Sequence, residues 1–163
     1  MDDLDALIQR QAIADVLIAY CRYLDRMELA DLAMLFTEDC TVIYGPDPRL
    51  KAEGRPALEA SLGRMWRWQM TAHYASNMKV EFESDQAAKS ESAVWAWHKA
   101  ADGSDAEVYG LYHDRFVREP DAWRIAERRM EMTGSKGSFR VAVPLAYRAR
   151  PPKGWISPEG LDS

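Results

Sequence analysis

Thr71-Ala72-His73-Tyr74-Ala75-Ser76-Asn77-Met78-Lys79-Val80-Glu81-Phe82 is the stretch on which the reading of this chain turns. His73 opens a run that alternates through Met78, Val80 and Phe82, the period-two pattern of a strand with one covered face. From there the chain reads as a four-stranded meander, with turn signals at Glu83-Ser84-Asp85, Asp102-Gly103-Ser104-Asp105 and Glu119-Pro120-Asp121. The second of these strands carries the most information. Its even positions, Ala88, Ser90, Ser92, Val94, Ala96 and His98, are small and end in a histidine, so that face has room for a ligand. Its odd positions are Lys89, Glu91, Ala93, Trp95, Trp97 and Lys99. Two large aromatics on a charged face are costly to leave wet, which predicts cover by a tail or a neighbouring subunit. The third and fourth strands are read over about residues 108–118 and 123–133. By phase with His98, the third strand puts Val108, Gly110 and Tyr112 on the pocket side, and Arg128 of the fourth joins them.

Upstream of the meander the periodicity changes. Leu4, Leu7, Ile13, Val16, Leu17, Tyr20 and Leu24 recur at three- and four-residue steps, with acids in the first turn and Arg22 and Arg26 in the last, which predicts a first helix. Asp25 lies about 100° round from Leu24 and flanks the buried stripe. A second, short helix is expected over about residues 29–36, broken by Thr37-Glu38-Asp39. Cys40-Thr41-Val42-Ile43-Tyr44 reads as a strand closed by the turn-rich Gly45-Pro46-Asp47-Pro48. A third helix follows Gly54, with Pro56 near its first turn and Leu58, Leu62 and Met65 on its apolar face. Helices followed by a long antiparallel meander predict an α+β fold, a curved, cone-shaped antiparallel sheet packed against three N-terminal helices. Residues 1–140 form that domain, and residues 141–163, with Pro144, Pro151, Pro152 and Pro158, read as an extended arm.

Composition narrows the partners. A net charge of -5 and a pI near 5.3 leave no basic surplus to neutralise phosphates, so neither nucleic acid nor an anionic membrane is expected. The start, Met1-Asp2-Asp3-Leu4-Asp5, lacks a signal-peptide pattern, and no apolar run is long enough to span a bilayer. A cytoplasmic protein with a small ligand is the expectation. Cys21 and Cys40 stand apart from any Cys/His cluster and read as reduced packing residues, with no metal site.

The chemistry is expected at the mouth of the cone. A neutral imidazole acting as a base needs a carboxylate behind it to hold its tautomer, and Asp25 is the candidate supplier for His73. On spacing alone the other reading of His73 stays open, a strand-end histidine bonded to a backbone carbonyl.

Several segments, in this order, resemble one family. They are Tyr20-Cys21-Arg22-Tyr23-Leu24-Asp25, Leu35-Phe36-Thr37-Glu38-Asp39, His73-Tyr74-Ala75-Ser76-Asn77, and Tyr112-His113-Asp114-Arg115 leading to Trp123-Arg124-Ile125-Ala126. Together they are similar to the SnoaL-like branch of the nuclear transport factor two-like superfamily, over nearly the whole chain to about Met132. Within that superfamily the enzymes the chain resembles are scytalone dehydratase, bile-acid 7α-dehydratase and hexachlorocyclohexane dehydrochlorinase, small cofactor-free lyases built on a His-Asp dyad. The resemblance implies Asp25 and His73 as the dyad, Tyr20 and His98 as further catalytic groups, and Tyr44 as a water-holding tyrosine. The substrate wall is then Tyr44, Asn77, Val94, Ala96, Val108, Gly110, Tyr112 and Arg128, with Arg129 in place of Arg128 if the strand is bulged. Gly110 and Tyr112 replace the serine and asparagine of scytalone dehydratase, which argues against that substrate. The expected activity is a cofactor-independent, dehydratase-type elimination or related proton transfer on a small hydrophobic, cyclic molecule. Two other readings stay open, a non-catalytic ligand-binding or structural subunit like the small subunit of ring-hydroxylating dioxygenases, and a polyketide cyclase or isomerase. The look-alike lyases imply a homo-oligomer, a trimer first and a dimer second.

Overall fold

Asp2 begins the first helix, its carboxylate accepting the backbone N–H of Asp5 at 2.8 Å, and Met27 ends it in the left-handed conformation at φ 57°. In this computed structural model, which describes residues 2–137 and Lys153, that helix is α1 (Asp3–Arg26). Its buried side chains, Ile13, Leu17, Tyr20, Cys21 and Leu24, keep the helical step and face the long strand β3 (Trp68–Ser84). The stripe is shorter than its sequence pattern suggests, because Leu4 and Leu7 are 66% and 64% exposed and no described residue covers them.

Helix α2 (Leu29–Ala33) stops before Phe36. Phe36 and the expected helix breaker Thr37-Glu38-Asp39 instead belong to strand β1 (Phe36–Ile43), where Phe36 is fully buried opposite Ile125. Tertiary pairing has overridden the local helical spacing here. After a 3₁₀ turn at Pro48–Leu50 comes a short strand that the sequence reading missed, β2 (Lys51–Glu53), antiparallel to β1. Helix α3 (Arg55–Leu62) follows Gly54, with Pro56 in its first turn, and buries Leu58 and Leu62. Met65 is buried from a second 3₁₀ turn, Gly63–Arg67.

The meander is β3, β4 (Ala87–Ala100), β5 (Asp105–Arg118) and β6 (Trp123–Gly137). The six strands form one open, curved sheet in the order β2-β1-β6-β5-β4-β3, antiparallel except where β1 lies parallel to β6. The helices and the apolar sheet face enclose the core, and the even positions of β4 point into it, as the alternation requires. Strand β3 begins at Trp68, so His73 sits inside the strand, opposite Ala96, and not at its mouth. Trp66, in the turn before β3, is 67% exposed, whereas Trp68 packs against the core. On the outer face Tyr74 stacks on Trp95 at 5.1 Å, and Tyr109 is the next residue across the sheet. The expected arm over residues 141–163 lies outside the described residues apart from Lys153. Among the described residues no helix is long and apolar enough to cross a membrane.

Candidate active site

The last turn of α1 and the first half of β3 lie side by side, and their junction brings Asp25 to His73. One carboxylate oxygen of Asp25 lies 2.6 Å from His73 Nδ1, and the other accepts the backbone N–H of His73 at 2.9 Å. The Thr71 hydroxyl donates to the first oxygen at 2.8 Å. Burial alone would raise the Asp25 pKa, but the bonds from the His73 ring, the His73 backbone N–H and Thr71 outweigh it and hold the carboxyl below its ordinary value. In the neutral form of the ring, that carboxylate places the proton on Nδ1 and leaves the lone pair on Nε2.

Beside this pair is a cavity of about 70 Å³, walled by His73, His98, Ala96, Val108, Tyr112, Tyr20, Tyr44, Met130, Leu24, Leu50, Leu62, Met65, Arg64 and Arg67. The His98 ring meets His73 edge to face at 5.4 Å, and its Nδ1 is 3.4 Å from the Ala106 carbonyl. Burial and the neighbouring His73 push its pKa down to about 4, so His98 is neutral at pH 7. Tyr20 and Tyr44 share a hydrogen bond of 2.6 Å between their hydroxyls, and burial pushes both phenols up, so both stay protonated. Tyr20 in turn hydrogen-bonds the Tyr112 hydroxyl, so the three phenols form one chain along the cavity wall.

Several residues expected on the wall are elsewhere. Asn77 is exposed and takes φ 49° in a bulge of β3, where a short polar side chain tolerates the left-handed backbone. Gly110 faces inward, but a Cβ there would come 2.4 Å from the Glu131 carbonyl oxygen, so its smallness admits the bulged backbone of β6 and no ligand. Val94 is buried in the core, off the cavity wall. Arg128, not Arg129, points inward, yet it is fully buried behind the wall. Its guanidinium lies between the Tyr20 and Tyr112 rings, at 4.1 and 4.2 Å, and grips the Asp114 carboxylate through two bonds of 2.7 Å. Asp25 stands behind His73 and does not line the cavity itself.

Other contributors were not foreseen. Thr71 was legible in principle, two residues before His73 on the same strand face. Leu24, Leu62 and Met65 read as the apolar faces of helices, Leu50 and Met130 carried no reading, and Arg64 and Arg67 gave no periodic signal at all. A larger hollow of about 450 Å³ lies against the outer sheet face, but it is ringed by charges already paired with one another, such as Lys79 with Glu81 and Arg115 with Glu127. Among the described residues no group of three or more His, Cys, Asp or Glu is placed to hold a metal ion, and Cys21 and Cys40 are free and buried.

Relatives share this architecture. A scytalone dehydratase-like protein from Novosphingobium aromaticivorans superposes with a TM-score of 0.83 at 31% identity, over 89% of this chain and 97% of its own. A hexachlorocyclohexane dehydrochlorinase from Novosphingobium barchaimii superposes with a TM-score of 0.74 at 19% identity, over 86% of this chain and 97% of its own, a likeness of fold. An uncharacterized protein of Mycobacterium tuberculosis is 30% identical over 125 residues, 73% of this chain and 82% of that relative. With residues 5–129 matching the SnoaL-like domain and the cone of that fold in place around the cavity, the chain belongs to the SnoaL-like family of the nuclear transport factor two-like superfamily.

Proposed function

We propose that this protein is a lyase or related proton-transfer enzyme in which His73 is the base and Asp25 its orienting partner. The fold and its dehydratase and dehydrochlorinase neighbours support a lyase-like or small-molecule-binding role. The observation that carries the finer reading is the 2.6 Å contact from His73 Nδ1 to a carboxylate that itself accepts two further hydrogen bonds. A carboxylate placed behind the imidazole holds the ring tautomer and steadies the imidazolium, which a base requires and a cavity that only stored a ligand does not.

In the reaction, His73 Nε2 takes a proton from carbon next to a carbonyl, and the Asp25 carboxylate stabilises the imidazolium so formed. The carbonyl oxygen gathers charge and accepts a hydrogen bond from the chain of phenols Tyr44, Tyr20 and Tyr112. The electron pair left on carbon then expels a β-hydroxyl, and the proton held by His73 passes to it, so the substrate leaves as an alkene and a water. Neutral His98, against His73, relays that proton or holds the leaving oxygen. The substrate is a small, largely apolar cyclic molecule, in keeping with the apolar wall of Leu24, Val108, Met65 and Met130. We place the protein in the cytoplasm as a homo-oligomer, a trimer before a dimer, with the outer row of Tyr74, Trp95 and Tyr109 as the face in need of cover.

The test uses cyclic β-hydroxy ketones, with formation of the conjugated enone followed by absorbance and α-proton exchange in D₂O followed by NMR. His73→Ala should lower either rate by about 10²–10⁴-fold while leaving the circular dichroism unchanged. Full activity in that variant would remove His73 from the role of base.

A further inference from the structure

Among the described residues, the cavity wall carries two arginines and no carboxylate. Both come from the 3₁₀ turn Gly63–Arg67, in which side chains three residues apart project to the same side. Arg64 lies over the Tyr44 ring at 5.1 Å, and its Nη1 donates to the Ser61 hydroxyl at 2.7 Å. The same nitrogen donates to the Ser61 carbonyl. Arg67 lies over the Trp68 ring at 5.0 Å and has no ion-pair or hydrogen-bonding partner among the described residues. Each guanidinium is thus seated on an aromatic face beside the cavity, its charge unanswered by an acid among the described residues, although the protein as a whole has five more acids than bases. Partial burial and the nearness of Arg64 both lower the Arg67 pKa, so the two cations are close enough to repel. Unanswered like charges held together at an apolar opening are a standing cost that an anion would relieve.

We propose that Arg64 and Arg67 form an anion-binding subsite at the cavity mouth, and that the ligand is an amphipathic acid with an apolar body inside and one carboxylate on the two guanidiniums. Planar guanidinium forks match carboxylate geometry, which an ammonium does not. The proposal rests on the cavity being the ligand site, as the functional reading holds, but it does not depend on His73 acting as a base. Anchored by its carboxylate, the ligand enters in one orientation, apolar end toward His73.

The probes are cinnamate and cinnamamide, alike in shape and different in charge, titrated against the whole protein by NMR with the methyl signals of Met65 and Met130 as reporters. Cinnamate should bind about tenfold more tightly than the amide in low salt, and about 0.5 M sodium chloride should remove most of that preference. R64Q/R67Q should abolish the preference. H73A should keep the preference intact, so loss of the catalytic reading and loss of this one are separable. Equal or weaker binding of cinnamate, a salt-independent preference, a preference retained in R64Q/R67Q, or failure of both probes to bind would each overturn the proposal. The salt comparison is made on the unaltered protein and stands even if the double variant does not fold.

Discussion

Asp25 occupies a place that ordinary helix electrostatics disfavours, the last turn of α1, where the negative end of the macrodipole repels a carboxylate. Three hydrogen bonds offset that cost, from the Thr71 hydroxyl, the His73 backbone and the His73 ring. The sign of the pH dependence follows. A carboxyl whose folded pKa lies below its ordinary value of 3.8 contributes stability that is complete above 3.8 and is lost as the pH falls through the folded value. Asp25→Asn should therefore be less stable than the parent at neutral pH, and the gap should close as the medium is acidified below pH 3.8. Urea midpoints measured from about pH 6 to about pH 2 check this, and a gap independent of pH would mean that the Asp25 charge contributes nothing to folding.

At the scale of single elements, β3 shows how one residue settles the phase of a strand. Residues 71, 73 and 75 face inward before Asn77, and Met78, Val80 and Phe82 face inward after it, a switch from odd to even that an unbroken strand forbids. The bulge at Asn77, with φ 49°, absorbs the extra residue. Without it, either His73 would leave the cavity or Val80 and Phe82 would leave the core. Asn77→Val should cost about 1–2 kcal/mol, the steric penalty of a left-handed backbone, whereas Asn77→Gly should be near neutral. Chemical denaturation of both variants decides it, since equal losses would mean that the side chain matters and the backbone conformation does not.

For the molecule as a whole, the Arg128–Asp114 pair acts as a rivet. It lies fully buried where β5 and β6 meet, and the Arg128 guanidinium packs against Tyr20 of α1, Phe36 of β1 and Tyr112 of β5. Removing one partner leaves a buried charge without its mate. Asp114→Ala is expected to lose about 3–5 kcal/mol, whereas the apolar double replacement D114L/R128M should recover most of that loss. Thermal and urea unfolding of the two would show it, and a small loss for Asp114→Ala would mean that water reaches Arg128 in the folded state.

Sequence alone determined that helices precede a four-stranded meander and which faces of β4 and β5 point inward, and it put Asp25 forward as the partner of His73. Those properties are carried by local periodicity and by a family's spacing of motifs, both written along the chain. Where α2 yields to β1, that β1 lies parallel to β6, and that β2 exists at all were decided by pairing between distant segments, which no local pattern encodes. The same holds within the site. Gly110 reads as room for a ligand until the Glu131 backbone is found filling it, and Arg128 reads as a pocket residue until Tyr20 and Tyr112 close over it. Arg64 and Arg67 came to the cavity only because a 3₁₀ turn carries both side chains to one side of the backbone, a consequence of three-dimensional packing and not of spacing.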